Sequence, residues 1–157
     1  MAGGTPAIIA LQRAGVPCTE HRYTHDPAAT SFGREAAEAL GLPAEQVFKT
    51  LLCLVDDEPH VAIVPVDCQL DLKHLAAATG GKRAEMMRVD VAERLTGYIA
   101  GGISPFGQKR LLPTVIDETA TLFDTIYVSG GRRGFDIGVA PDDLVRVLDA
   151  RVDDIAR

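Results

Sequence analysis

Cysteine pairs, long apolar runs and a basic surplus are all missing from this sequence, and each absence removes a class of protein. The three cysteines, Cys18, Cys53 and Cys68, are odd in number, widely spaced and include no C-x-x-C pair. That argues against a disulfide framework or a thiolate zinc site and fits a reducing compartment. No apolar stretch approaches the roughly 20 residues that span a bilayer. Met1 to Pro6 lacks a basic region followed by an apolar one, so no secretory signal and no membrane association are expected, and the cytoplasm is the expected location. His21 and His25 are four apart, but they fall in a segment that reads as a strand running into a proline loop. No H-E-x-x-H pattern exists either, so neither a metal nor a cofactor is expected. The formal net charge is −6, whereas a protein that grips nucleic acid over a long surface carries a basic excess. Any contact with RNA is then local or shared with a partner.

What remains is an ordinary globular composition, 46% hydrophobic and 24% charged over 157 residues. This is enough for a full core, and one domain over residues 1–157 is expected. Thr5-Pro6 predicts a helix start and Gly15 its stop. Val16 to Tyr23 reads as a strand and Phe32 to Leu40 as a helix ended by Gly41. Val47 to Val55 is the clearest strand, followed by a turn over Asp56 to Pro59 and a hairpin partner from His60 to Val66. Asp71 caps a helix running to Ala78. Asp90 with Glu93 three residues on reads as a capping box. Thr114–Asp117, Thr125–Ser129 and Phe135–Val139 read as short strands, and Pro141 opens a last helix. Helices and strands interleave without strict alternation, so the expected class is α+β, a mixed, largely antiparallel sheet surrounded by helices.

Lys49 carries the strongest chemical signal. Both faces of its strand are apolar, so an ammonium there has no easy route to water. It either snorkels out at a strand end or stands at the floor of a pocket, placed to hold an anion or polarise a carbonyl. Two glycine-rich segments, Gly101 to Gly107 and Ser129 to Gly134, are either tight turns or backbone-donor nests. Neither is a phosphate loop or a dinucleotide fingerprint. Ser104 fails the G-x-S-x-G spacing, and Pro105 supplies no oxyanion N–H. Cys53 lies mid-strand in apolar company, as a core residue does. Asp136 pairs with Lys49, accepts from a ribose hydroxyl, or faces solvent at a strand edge. Aromatic residues are only 5% of the chain, yet Tyr23 and Phe32 bracket one loop, where they either stack on a nucleobase or join the core. Lys109, Arg110, Arg132 and Arg133 flank the glycine segments, either as a basic rim or as solvated loop charge.

Several motifs add a resemblance that covers nearly the whole chain, from about Thr5 to Arg157. They are Tyr23-Thr24-His25-Asp26-Pro27, Phe48-Lys49-Thr50-Leu51-Leu52, Gln69 to Lys73, Thr96-Gly97-Tyr98 with Gly101-Gly102-Ile103-Ser104-Pro105, and Ile126 to Gly131 with Arg133-Gly134. Together they resemble the YbaK, or Cys-tRNA(Pro) deacylase, family and are similar to the editing domain inserted in bacterial prolyl-tRNA synthetases. The turn near Asp56 to His60 and the residues before Thr5 depart from the family pattern. The resemblance implies a trans-editing deacylase acting on the acceptor end of tRNA(Pro) that carries cysteine, with Cys-tRNA(Cys) a further substrate. Prolyl-tRNA synthetase is the implied partner. Lys49 would anchor the phosphate or ribose of the terminal adenosine. Tyr23, Phe32 and Thr50 would line the pocket. The backbone at Gly101, Gly102 and Ile103, and Ser129 with Gly130 and Gly131, would hold the ester and its amino acid, and Asp136 would complete a polar wall. The substrate's own thiol would attack its ester and leave as a thiolactone, with no protein nucleophile. Two alternatives stay open: a deacylase for another mischarged tRNA such as Ala-tRNA(Pro), and a non-catalytic tRNA- or nucleotide-binding module.

Overall fold

A computed structural model describes residues 4–157. The expectations placed on Met1 to Gly3 lie outside them. Helix α1 (Pro6–Ala14) starts as its first residues dictate. The Thr5 hydroxyl accepts the Ile8 N–H at 3.3 Å, and Pro6 has no N–H to leave unpaired. Helices α2 (Phe32–Leu40), α3 (Leu72–Ala78) and α5 (Pro141–Leu148) also begin where expected, with Ser31 and Asp71 capping the first two through their side chains. Helix α4 (Val89–Thr96) departs from expectation. Its N-cap is Arg88, without a side-chain cap bond, so Asp90 lies inside the first turn. Glu93 does not close a capping box but accepts the N–H of Ala100 at 2.8 Å.

Strand β1 (Thr19–Arg22) is shorter than expected because Val16 is buried in the core ahead of it. Strands β2 (Phe48–Val55) and β3 (Glu58–Pro65) form the expected hairpin. Only Asp56 and Asp57 turn the chain, with φ of 48° and 68°, so Glu58 and Pro59 belong to the strand rather than to the turn. Strands β5 (Thr114–Asp117), β6 (Ile126–Arg132) and β7 (Phe135–Val139) follow the sequence reading, with β6 running three residues further. Strands β4 (Ala84–Met86) and β8 (Arg151–Asp153) were not legible in the sequence. Each has three residues, too few for alternation to show, and exists by pairing with β2 or β5.

The class is α+β and the pairing is mostly antiparallel. The strands form two sheets rather than one: a three-stranded sheet in the order β1-β7-β6, and a five-stranded sheet in the order β4-β2-β3-β5-β8 whose last two pairings are parallel. β2 is central, as its two apolar faces require. Phe48 and Leu52 face one core cluster with Ile8, Leu11, Phe135 and Ile137, while Cys53 and Val55 face another with Val64, Leu75 and Ile155. Buried Asp117 ties down the C-terminal segment by accepting the N–H groups of Ile155 and Ala156, each at 3.0 Å. No helix among the described residues is long and apolar enough to cross a membrane.

The join between the sheets positions everything that follows. A single parallel bridge joins the two sheets, from Val47, just ahead of β2, to Tyr127 of β6. Beyond it the strands part, and β4 does not pair with β2 until Cys53. The stretch from Lys49 to Leu52 therefore keeps β3 on one side and has no strand on the other.

Candidate active site

A cavity of about 370 Å³ lies over that gap. It touches five successive residues of β2, Phe48 to Leu52. Neighbouring side chains on a strand point to opposite faces, so contact with all five means that the cavity meets the strand at its open edge. The ladder fixes which backbone groups face it. The Val47 carbonyl accepts the Val66 N–H on the β3 side, and the Leu52 carbonyl accepts the Met87 N–H on the other. Alternation between them turns the N–H and carbonyl of Thr50 toward the cavity.

Lys49 stands at the start of β2, half-buried, and among the described residues its ammonium forms no hydrogen bond or ion pair. Burial pulls its pKa below the usual lysine value. Arg34 pushes in the same direction, while Cys68 and Asp67 oppose it. The neighbouring Thr50 hydroxyl is the buried side-chain oxygen that lacks any hydrogen-bond partner among the described residues. An orphaned buried polar group costs about 1–3 kcal/mol. No group among the described residues offsets that cost.

The facing wall comes from the small sheet. Paired residues His21, Asp136 and Ser129 share one face of β1, β7 and β6, opposite the face that carries Phe135, Ile137 and Val128 into the core. Asp136 and Ser129 line the cavity, as does Tyr23 just beyond β1. Asp136 is only 6% exposed, and burial without a compensating cation pushes its carboxyl up to about 7. Of the alternatives for Asp136, its burial excludes a strand edge facing solvent, and no ion pair with Lys49 forms: both line the cavity, but each stands on its own sheet. Burial, then the nearby Asp136 charge, pushes the Tyr23 phenol up to about 12.

The glycine segments contribute less than expected. Gly101 and Ile103 line the cavity, and the Gly101 N–H is not among the donors engaged within the chain. Gly102, Gly130 and Gly131 do not line it. Gly102 packs on the Arg132 backbone, Gly130 against the Phe135 ring, and Gly131 against Thr5 and Tyr98. Two of their amides are already occupied: Gly102 N–H donates to the Ile99 carbonyl and Gly131 N–H to the Ser129 hydroxyl. At all three positions an added side chain would meet its neighbours closely, so tight packing accounts for the glycines. The basic rim also shrinks. Arg133 does not line the cavity but stacks on a residue that does, with its guanidinium 4.9 Å from the centre of the Phe32 ring. Arg132 instead lies over Phe135, and Lys109 lines a separate depression with Asp90 and Glu93. Phe32 lines the cavity, but its ring is already engaged by Arg133, His25 and Gly101.

Sequence reasoning missed the apolar wall. Met86, Met87, Val89, Ala92 and Ala100 line the cavity as well, supplied by β4, the link to α4, α4 itself and the loop after it, and Thr30, Ser31, Gly33 and Ala36 add the start of α2. The adjacent methionines were the one available signal, and without β4 nothing placed them opposite β2. No cysteine or histidine lines the cavity. With no histidine there to act as base, no activated nucleophile of the serine–histidine or cysteine–histidine kind is assembled among the described residues.

This arrangement fits what comparison with known proteins finds. The sequence profile of the aminoacyl-tRNA editing domain matches residues 25–147. An Enterococcus faecalis protein named "Putative Cys-tRNA(Pro)/Cys-tRNA(Cys) deacylase EbsC" is 36% identical over 152 residues, which is 96% of this chain and 92% of that protein. An Escherichia coli protein named "Multifunctional Ser/Thr-tRNA deacylase ProXp-y" is 32% identical over 116 residues, covering 71% of this chain and 70% of that one. A crystal structure described as "a putative trans-editing enzyme for prolyl tRNA synthetase" superposes with a TM-score of 0.82 at 25% identity, over 97% of this chain and 95% of that one. A profile match across most of the chain, joined to a relative aligned along nearly its full length, means that the chain belongs to the aminoacyl-tRNA editing domain family.

Proposed function

We propose that this chain is a trans-editing deacylase that removes cysteine from mischarged Cys-tRNA(Pro), and from Cys-tRNA(Cys) as a further substrate. The observation that carries the reading is the pairing, on adjacent residues of one open strand edge, of a cation without a partner and a buried hydroxyl without a partner. A terminal adenosine with an esterified amino acid supplies what both lack. Lys49 holds a phosphate or ribose oxygen of that nucleoside. The hydroxyl of Thr50 and its backbone groups bind the aminoacyl end. Gly101 presents its N–H to the ester carbonyl, where charge develops during acyl transfer. Tyr23, Ser129 and Asp136 form the polar wall, and Phe48, Leu52, Met87 and Ile103 enclose a small uncharged side chain.

With no activated protein nucleophile in the cavity, the substrate supplies its own. The cysteine sulfur attacks its ester carbonyl carbon, a C–S bond forms, and the bond to the ribose oxygen breaks. The thiol proton ends on that oxygen, which frees intact tRNA and a thiolactone. The protein contributes orientation and fixed donors. Prolyl-tRNA synthetase is the proposed partner and the cytoplasm the proposed location. A net charge of −6 leaves little general grip on RNA, which supports delegating the choice of tRNA.

The test is incubation of the purified chain with Cys-, Ser- and Ala-tRNA(Pro), following free tRNA and thiolactone. Rapid release from the cysteinyl ester with thiolactone formed is the expected result. Comparable turnover of the seryl or alanyl ester removes the thiol from the mechanism. It would align the chain instead with the relative named for seryl and threonyl esters. Binding with every ester left intact would make it a non-catalytic module.

A further inference from the structure

Four elements meet at one corner of the cavity, and a single residue, Ala100, is held between them through both of its backbone polar groups. The Ala100 N–H donates to the Glu93 carboxylate on α4 at 2.8 Å, and the Ala100 carbonyl accepts from Arg133 Nε, at the turn between β6 and β7, at 2.8 Å. The same guanidinium lies over the ring of Phe32, the first residue of α2, at 4.9 Å. That ring in turn fills the space beside Gly101, whose φ of 86° places it in the left-handed region. The next residue, Gly102, rests on the Arg132 backbone, where a side chain would collide with main chain. Ala100 and Gly101 thus reach the cavity wall already gripped on both sides. Hydrogen bonds with one charged partner are the stronger kind.

We propose that Glu93 and Arg133 are positioning residues that hold the two successive peptide units meeting at Ala100, and that Arg133, by fixing the Ala100 carbonyl, sets the Gly101 N–H of the same unit, which faces the reacting ester. Neither residue lines the cavity, and both act through the loop they hold. The inference rests on the proposed function for the identity of the ester. It also assigns Arg133 a different role from a basic residue that reads the tRNA backbone. A phosphate contact makes substrate binding stronger and salt-dependent, whereas a clamp affects the chemical step.

The variants are Glu93→Ala, Glu93→Gln, Arg133→Ala and the double alanine, assayed on the aminoacyl-tRNA that the native chain turns over fastest. The expected result is a fall in kcat of tenfold or more for each alanine variant, with KM within about twofold and the salt dependence of binding unchanged. Gln at position 93 keeps an acceptor and recovers most of the loss. The double variant is little worse than either single one, because removing one side already frees Ala100. Retained kcat with raised KM and a flatter salt dependence for Arg133→Ala would make that residue a phosphate contact and overturn the proposal. A Glu93→Gln variant as poor as Glu93→Ala would overturn it as well. Amide exchange in the unliganded protein reads the clamp without any activity: Ala100 N–H exchange rises at least tenfold in both Glu93→Ala and Arg133→Ala. Unchanged exchange in Arg133→Ala refutes the coupling. Inactivity of the native chain on every ester strikes the proposed function instead, and leaves the exchange measurement to decide the clamp.

Discussion

Asp136→Asn is expected to make the protein more stable and to remove a specific pH dependence, because the native cavity holds a carboxylate in a place that disfavours its charge. The side chain is 6% exposed, and its carboxyl is pushed from 3.8 up to about 7 by burial. Below the unfolded value the group is protonated in both states and contributes nothing. Between the two values the folded protein holds a proton that the unfolded chain has released, so stability falls as pH rises. Above about 7 the full cost is present. A displacement of about three units corresponds to about 4 kcal/mol at most. Within that total, the loss between pH 5 and pH 8 is about 2–3 kcal/mol. Asparagine has nearly the same shape and no charge to lose. Urea unfolding at pH 5, 6, 7 and 8 measures the difference, with unchanged m-values required for the comparison. The native curve should decline across this range and the asparagine curve should not, so that the variant becomes the more stable by about 2–4 kcal/mol at pH 8. The same variant should deacylate more slowly, since groups strained for function are commonly stabilised by their removal. Parallel curves for the two proteins would show that Asp136 ionises as it does in water and would refute the account of the polar wall.

Lys49→Ala should abolish deacylation while leaving the unfolding midpoint nearly unchanged, checked by turnover and thermal melting, because among the described residues the ammonium makes no hydrogen bond or ion pair that its loss could break. Thr50→Val removes a buried hydroxyl that has no partner; stability should hold or rise by about 1 kcal/mol while kcat/KM falls, a combination not expected of a core residue. Gly102→Ala should destabilise the protein by more than about 1 kcal/mol and reduce activity, measured by urea unfolding and turnover, since its methyl would meet the Arg132 backbone. Lys109→Ala should leave deacylation and its salt dependence unaltered, because that side chain lies in a depression away from the cavity.

The sequence by itself determined the elements whose signals are local. Thr5-Pro6, Asp71 and Pro141 mark helix starts, and Gly15 and Gly41 mark helix ends, because caps and left-handed stops involve only residues a few positions apart. The two apolar faces of β2 made it central and marked Lys49 as anomalous, because alternation along one strand is visible without knowing its neighbours. The family motifs placed Tyr23, Phe32, Thr50, Gly101, Ile103, Ser129 and Asp136 around that lysine, and all of them line one cavity. Only the tertiary structure decided what depends on pairing at a distance. Strands β4 and β8 exist through their partners. The division into two sheets follows from a single bridge at Val47 and Tyr127, and the cavity is the gap that this bridge leaves open. The same dependence explains why Asp136 stands apart from Lys49, why Gly102 and Gly131 have no free amides, and why Glu93 reaches across to Ala100 instead of closing its own helix. A backbone donor's partner, and the charge beside a carboxylate, come from residues remote in the chain and near only after folding.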